Sequence, residues 1–253
     1  MQRILSFLRY LIEAKGVHGA HSAFIFKLFQ EVFNDEKLYY AFSEIEKQRD
    51  NLKQMHSSIG VIDFGANGDG STMHTKIVSK IASKSLKHPR YARMMFRLIN
   101  HMNYVDVLEL GTSLGITSLY LSSATRGSVI TVDASDAISN IASSLNKDKR
   151  RIDYRVNTFD NELKKLEKQT FDFIFIDGDH KGESLLRYYE QLRPQLKENG
   201  CIVIDDINWS ADMNRAWKQL CDSADVDLSL DLFELGILFS RPGMVKQHHV
   251  IRY

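Results

Sequence analysis

The hydrophobic period of the chain changes near residue 105. Before that point apolar residues recur at spacings of three and four: Ile4, Phe7, Leu8, Leu11 and Ile12, then Phe24, Ile25, Leu28, Phe29, Val32 and Phe33. That spacing predicts amphipathic helices. Between them the segment 16–22 reads as a turn, with Ser22 placed as a helix cap. After residue 105 short β-rich runs alternate with helix-length segments, at 105–110, 128–133, 171–177 and 201–206. Near-continuous apolar strands separated by helices predict a parallel sheet with right-handed crossovers. The expected fold class is therefore α/β, a doubly wound, mostly parallel Rossmann-like sheet, residues 88–253, preceded by a helical N-terminal extension, residues 1–87. The runs 228–233 and 236–240 lie too close together for a helical crossover, so an antiparallel C-terminal hairpin is expected at the far edge of the sheet.

Composition narrows the partners. A hydrophobic fraction of 43% supplies a sizeable core and rules out wholesale disorder. Lys+Arg total 33 against Asp+Glu 32, a formal net charge of +1, so no global field attracts nucleic acid. Cys201 and Cys221 fall in segments read as buried strand or helix, which argues against a disulfide framework or cysteine zinc site and for a cytoplasmic location. Arg3, Arg9 and Glu13 interrupt the first apolar stretch, unlike a signal-peptide core, and no run reaches membrane-spanning length. The stripe from Ile4 to Ile12 must be covered, by the rest of the chain or by a second copy in a homo-oligomer. His18 and His21 are three apart, but without nearby ligands they read as turn residues.

The strand ends carry the chemistry, because ligands of doubly wound sheets bind at the carboxyl edge near the switch in strand order. The first strand ends Glu109-Leu-Gly111-Thr112-Ser113-Leu-Gly115 before an apolar helix. Glycines there permit a tight turn and close ligand approach. Ser113 stands where a dinucleotide fingerprint needs its second glycine, so a diphosphate fits poorly and a nicotinamide oxidoreductase is disfavoured. Asp133 ends the second strand about 20 residues on, where a carboxylate can accept both ribose hydroxyls. An adenosine-containing ligand without a diphosphate is expected. A second glycine run, Val61-Ile-Asp63-Phe-Gly65-Ala-Asn-Gly68-Asp-Gly70, mimics this loop but leads into a Ser71-led, lysine-rich stretch read as helix, with no following acid-ended strand. It reads as a turn or small hairpin.

These motifs resemble the class I S-adenosylmethionine-dependent methyltransferases over about residues 88 to 240. Within that class Asp177-Gly-Asp179-His180, Arg187-Tyr-Tyr-Glu190 and Ile204-Asp-Asp-Ile-Asn-Trp209 resemble the catechol and caffeoyl-CoA type O-methyltransferases. The chain also resembles an uncharacterised bacterial group of methyltransferases with a helical extension. The resemblance implies S-adenosylmethionine as cofactor, bound by Glu109, Gly111, Thr112, Ser113, Gly115, Asp133 and Asp177, with Thr158 and Phe159 at the adenine. It also implies a divalent ion such as magnesium on Asp177, Asp205 and Asp206, and His180 as base where the family often has lysine. Here histidine replaces that lysine and Asp206 replaces asparagine.

Physical chemistry is compatible with this. Oxygen ligands favour magnesium, calcium or manganese, a cation lowers a hydroxyl pKa, and an imidazole titrates near neutrality. Alternatives stay open: Asp177 binding the cofactor's amino group, Asp179 or Asp206 capping a helix, or a cofactor-binding module without turnover. Trp209 is placed at an acceptor pocket for a small hydroxylated molecule, and Trp217 in the core.

Overall fold

The structure, a computed structural model, describes residues 2–16, 22–64, 71–147 and 150–253. The helical spacing at the start forms α1 (Gln2–Glu13) and α2 (Ala23–Leu28), which continues into a π-helical turn, Phe29–Phe33. Ser22 occupies the cap position of α2 with extended backbone but makes no side-chain capping bond. Then come α3 (Tyr40–Gln54) and an antiparallel hairpin of β1 (Ser58–Phe64) and β2 (Ser71–Ile77). The Ser71-led helix is thereby corrected: residues 71–77 pair with β1 one for one, and α4 (Val78–Ser85) begins only afterwards. His18, His21 and the glycines at 65, 68 and 70 lie outside the described residues. Helix α5 (Pro89–Met102) starts with proline in its first turn, and His88 Nδ1 accepts the Arg90 N–H at 3.3 Å.

From there strand and helix alternate: β3 (Asp106–Leu110), α6 (Ile116–Ala124), β4 (Ser128–Asp133), α7 (Asp136–Leu145), β5 (Ile152–Val156) and α8 (Phe159–Leu166). The second half comprises β6 (Phe171–Ile176), α9 (Gly182–Leu192), β7 (Leu196–Asp205), α10 (Ala211–Asp222), β8 (Leu228–Asp231), β9 (Leu235–Phe239) and β10 (Gln247–Val250). Among the described residues these strands form one sheet in the order β10-β8-β9-β7-β6-β3-β4-β5. The five strands β3 to β7 are mutually parallel, and β9 runs antiparallel to both β7 and β8. The hairpin is as expected, but it is not the outermost element. Residues 247–250 add β10 parallel to β8, outside it.

Period-two alternation sorts the strand side chains onto two cores. Phe173, Phe175, Cys201 and Val203 face one side with Met94, Met95, Ile25 and Leu28. Ile174, Ile176, Ile202 and Ile204 face the other with Tyr188, Leu192 and Trp217. The N-terminal helices are built into this packing: Phe42, Ile45 and Leu52 of α3 join Ile116, Leu119 and Tyr120 of α6. Helix α1 is the exception. Of its described side chains only Tyr10 is buried, while Ile4, Leu8, Leu11 and Ile12 stay exposed, Ile12 at 85%. Of the two expected covers for that stripe, the rest of the chain buries only Tyr10. Tyr10 docks beside Phe233 and donates its hydroxyl to the Ile251 carbonyl at 2.6 Å.

Trp217 is 1% exposed, and its ring lies flush against β9 because Gly236 has no side chain. A Cβ at residue 236 would sit 2.5 Å from the indole. Gly236→Ala should therefore destabilise the protein by about 1–3 kcal/mol, the usual cost of overpacking. Urea unfolding would show this as a lower midpoint at unchanged slope, and an unshifted midpoint would contradict the packing described.

Candidate active site

The strand order reverses at β3, with β4 on one side and β6 on the other, and the loops leaving β3 and β6 meet there. Gly111 adopts φ +107°, and a Cβ on it would lie 1.9 Å from the Asp177 carbonyl oxygen. Only glycine permits so close an approach. The Asp177 N–H donates to the Leu110 carbonyl at 2.8 Å and the Gly111 N–H to that of Val132 at 2.9 Å, so the β3, β4 and β6 exits are tied together. Ser113 takes a left-handed conformation, φ 45°, and its N–H donates to Asp133 Oδ2 at 2.9 Å. The N–H that would meet a diphosphate is thus committed to a carboxylate. Asp133 Oδ1 accepts the Ser135 N–H at 3.0 Å, and each oxygen has a second lone pair for a ligand hydroxyl.

A cavity of about 1380 Å³ opens over these exits. Gly111, Ser113, Asp133, Ser135, Ile138, Thr158 and Phe159 line it, together with Asp177, Asp179, His180, Asp205, Asp206 and Trp209. The N-terminal region supplies a further wall through Val61, Thr75, Ile77, Lys80, Ile81, Lys84 and Lys87. Thr158 also caps α8 by accepting the Asn161 N–H at 3.4 Å.

Three expected cofactor residues do not line the cavity, because they build the floor beneath it. Glu109 is fully buried, and its Oε2 accepts the Ser118 hydroxyl and, at 2.7 Å, that of Thr131. The Thr112 and Thr131 hydroxyls share a 2.6 Å hydrogen bond. Gly115, at φ +80°, opens α6 against Ala142, whose Cβ a side chain would meet at 2.7 Å. Their work is to hold the β3 loop against α6 and α7.

Beside the β3 exit the acidic residues converge on a cation from the N-terminal region. Lys87 Nζ pairs with Asp205 Oδ2 and lies 3.9 Å from Asp177 Oδ2. Burial pushes Asp205 well above the usual carboxylate range, with Asp177 adding to the rise and Lys87 opposing it. Asp177 is raised by burial too, against the pull of Lys87. Burial alone would lower the lysine, but Asp177 and Asp205 outweigh it and hold the ammonium above its ordinary value. Asp206 stands apart at φ 52°, raised by burial and by Asp205, with His180 Nε2 3.9 Å from its Oδ2.

The expected magnesium set is thereby corrected. An ammonium stands between two of its three carboxylates, and no group of three or more His, Cys, Asp or Glu among the described residues is arranged to hold a metal. The residues do not fit the ion. Asp206 caps no helix either, since Ser210 accepts the Met213 N–H at the start of α10. Asp179 accepts the Ser184 hydroxyl at 2.6 Å, while Asp212 from α10 takes the Gly182 N–H that opens α9. Trp217 is core, as expected. Trp209 is 54% exposed at the cavity, with the Arg3 guanidinium 5.3 Å above its ring.

Sequence reasoning missed Lys87, Asp212 and Arg3. Lys87 had one usable signal: it directly precedes His88-Pro89, a helix start that fixes where its side chain leaves.

The strand order, the acid ending β4 and the glycine loop after β3 define the class I S-adenosylmethionine-dependent methyltransferase fold. Residues 108–207 match the family model described as a methyltransferase domain. Among solved structures, an O-methyltransferase from Bacillus cereus in complex with S-adenosylhomocysteine is similar at 18% identity and a TM-score of 0.57. That match covers 81% of this chain and 93% of that one. An O-methyltransferase of tomaymycin synthesis from Streptomyces achromogenes, in complex with S-adenosylmethionine, is similar at 14% identity and a TM-score of 0.57, covering 81% and 91%. A methyltransferase from Podospora anserina bound to S-adenosylhomocysteine is similar at 16% identity and a TM-score of 0.54, covering 81% and 98%. Comparison with curated protein sequences found no match.

Glu109 gives this floor a pH signature. Burial raises its carboxyl to about 7, only partly offset by the Ser118 and Thr131 hydroxyls, and its Oε1 has no partner. A folded pKa above the unfolded one favours folding at low pH. That contribution is complete below about pH 4.5 and is lost as pH rises through about 7, roughly 3 kcal/mol in all. Glu109→Gln should flatten this part of the stability profile, read from urea midpoints at about pH 5 and pH 8. An unchanged slope in the variant would assign the titration elsewhere.

Proposed function

We propose that this protein transfers a methyl group from S-adenosylmethionine to an oxygen of a small hydroxylated acceptor. The observation that supports it most is the acid-and-glycine arrangement at the cavity. Asp133 is held by two backbone N–H groups at the end of β4, directly beside the Gly111 loop packed on the β6 exit. Asp133 has the position and free lone pairs to accept ribose hydroxyls, and Phe159 offers a flat apolar surface for a base. Bound there, S-adenosylmethionine supplies an electrophilic methyl on a sulfonium.

The rest of the cavity suits an acceptor. His180 is about one-third exposed, faces Asp206, and lies beside Trp209 with ring centroids 6.3 Å apart. In this reading it takes the acceptor's hydroxyl proton, with the Asp206 carboxylate as its charge partner. Trp209 gives an aromatic acceptor a face to pack on, and α1 borders that side through Arg3, which pairs with Glu234 at 2.8 Å. Excluding water while aligning the oxygen behind the methyl carbon is what such a walled site contributes. The extension 1–87 is read as a wall of the acceptor site, and the exposed stripe of α1 as the surface for a second copy. No helix among the described residues is long and apolar enough to cross a membrane, and a cytoplasmic location remains our reading from the two free cysteines.

Calorimetric titration with S-adenosylhomocysteine tests the cofactor half of this reading. The wild-type protein should bind one equivalent, and Asp133→Ala should weaken binding about 10- to 100-fold through lost hydrogen bonds to a charged group. No binding to the wild type, or unchanged affinity in a folded Asp133→Ala variant, would overturn it.

A further inference from the structure

The acidic exits of β6 and β7 form a site that already contains its cation. Asp205 has a side chain 2% exposed and Asp177 one of 18%, and the ammonium of Lys87, itself 14% exposed, lies against both. Two neighbouring carboxylates taken out of water are costly unless an opposite charge meets them. The chain supplies that charge from the residue before α5, where His88 and Pro89 fix the start of the helix and so the departure point of the Lys87 side chain. The ligand supply is not exhausted. An ammonium carries three N–H donors, and Asp177 at 3.9 Å is beyond hydrogen-bond reach. Asp205 Oδ1 is buried without a partner, on a residue that lines the cavity. Donors and an unused acceptor therefore stand together near His180, the pairing that a hydroxyl group requires.

We propose that Lys87 is the resident cation of the acceptor site, standing where a metal-dependent O-methyltransferase would hold a divalent ion, so that this site takes no such ion. The inference rests on the methyltransferase reading of the cavity. Its consequence is that an acceptor oxygen meets N–H donors at this point. Lysine cannot be removed without either leaving carboxylates unpaired or opening the place to another cation.

The test uses the full chain with S-adenosylhomocysteine present and Mn²⁺ as the probe, free ion being followed by electron paramagnetic resonance. Wild-type protein should bind no stoichiometric Mn²⁺. Lys87→Met, which keeps the aliphatic stem and removes the charge, should gain one bound Mn²⁺ per chain, and Lys87→Met combined with Asp205→Asn should lose it again. Lys87→Arg, which keeps the charge, should refuse the ion. Thermal unfolding should show Lys87→Met melting below wild type in EDTA and recovering with Mn²⁺. A wild-type protein that binds one Mn²⁺, with that binding lost in Asp205→Asn, overturns the proposal, as does a folded Lys87→Met variant without Mn²⁺ affinity. If Lys87→Met does not fold, wild type against Asp205→Asn still decides, since both retain the lysine. A wild type that binds no S-adenosylhomocysteine would instead count against the methyltransferase reading, and the Mn²⁺ measurements distinguish the two failures.

Discussion

The backbone of the β3 exit lies directly on the backbone of the β6 exit, with no side chain between them. Gly111 makes this contact, and the space of an absent methyl group is filled by the Asp177 carbonyl. The β3, β4 and β6 exits are tied together there. Asp177 is drawn to within reach of the cavity, the Ser113 N–H is turned onto Asp133, and the two halves of the sheet share one concave surface. Any side chain at residue 111 would push the β6 loop outward and separate Asp133 from the acids at the β6 and β7 exits. Unusual backbone conformations cluster at the same edge. Ser113, Asp179 and Asp206, all at the cavity, hold left-handed backbone conformations that serine and aspartate adopt only at some cost.

Charge at this edge is arranged around a solved desolvation problem. Glu109, Asp177, Asp205 and Asp206 all have raised carboxyls because burial weakens their solvation. The two halves of the site answer differently. Beneath the β3 loop the answer is hydroxyl groups, from Ser118 and Thr131. Between β6 and β7 it is a full positive charge. Hydroxyls stabilise a carboxylate without fixing a charge, so the floor titrates near neutrality, whereas the ammonium keeps its neighbours paired. A lysine in this place compensates the buried charge without needing to be captured from solution.

What could be read from the sequence divides along local and non-local lines. The acids at the ends of β4, β6 and β7 were legible because each follows its own apolar run, and the run and its end are written in consecutive residues. Gly111 was legible for the same reason. Lys87 was not, because Lys80, Lys84 and Lys87 look alike in sequence and all three reach the cavity. Only the packing of α5 on the sheet decides which one meets Asp205. The same holds for β2 and β10. Residues 71–77 are polar enough to read as a solvated helix face, and pairing with β1 overrides that preference. Residues 247–250 have almost no apolar pattern and become a strand because β8 offers an open edge. Glu109 shows the reverse: its motif is plain in the sequence, but its burial beneath the loop and its Ser118 and Thr131 partners are not.

The contact between Tyr10 and the segment around Ile251 has a consequence for how the protein is made. The partners are 241 positions apart, and the Lys15 backbone bridges to Ile251 as well. A ribosome delivers residues in order, so α1 is made before the segment it docks on, and the Tyr10 hydroxyl waits for its carbonyl until residue 251 has been synthesised. Closing so long a loop costs only slowly increasing entropy with length, but it cannot begin before the second partner exists. The central strands β3 to β7 lie between these partners in sequence and pair among themselves without them. Until residue 251 is made, the helix that carries Arg3 over Trp209 therefore lacks this anchor.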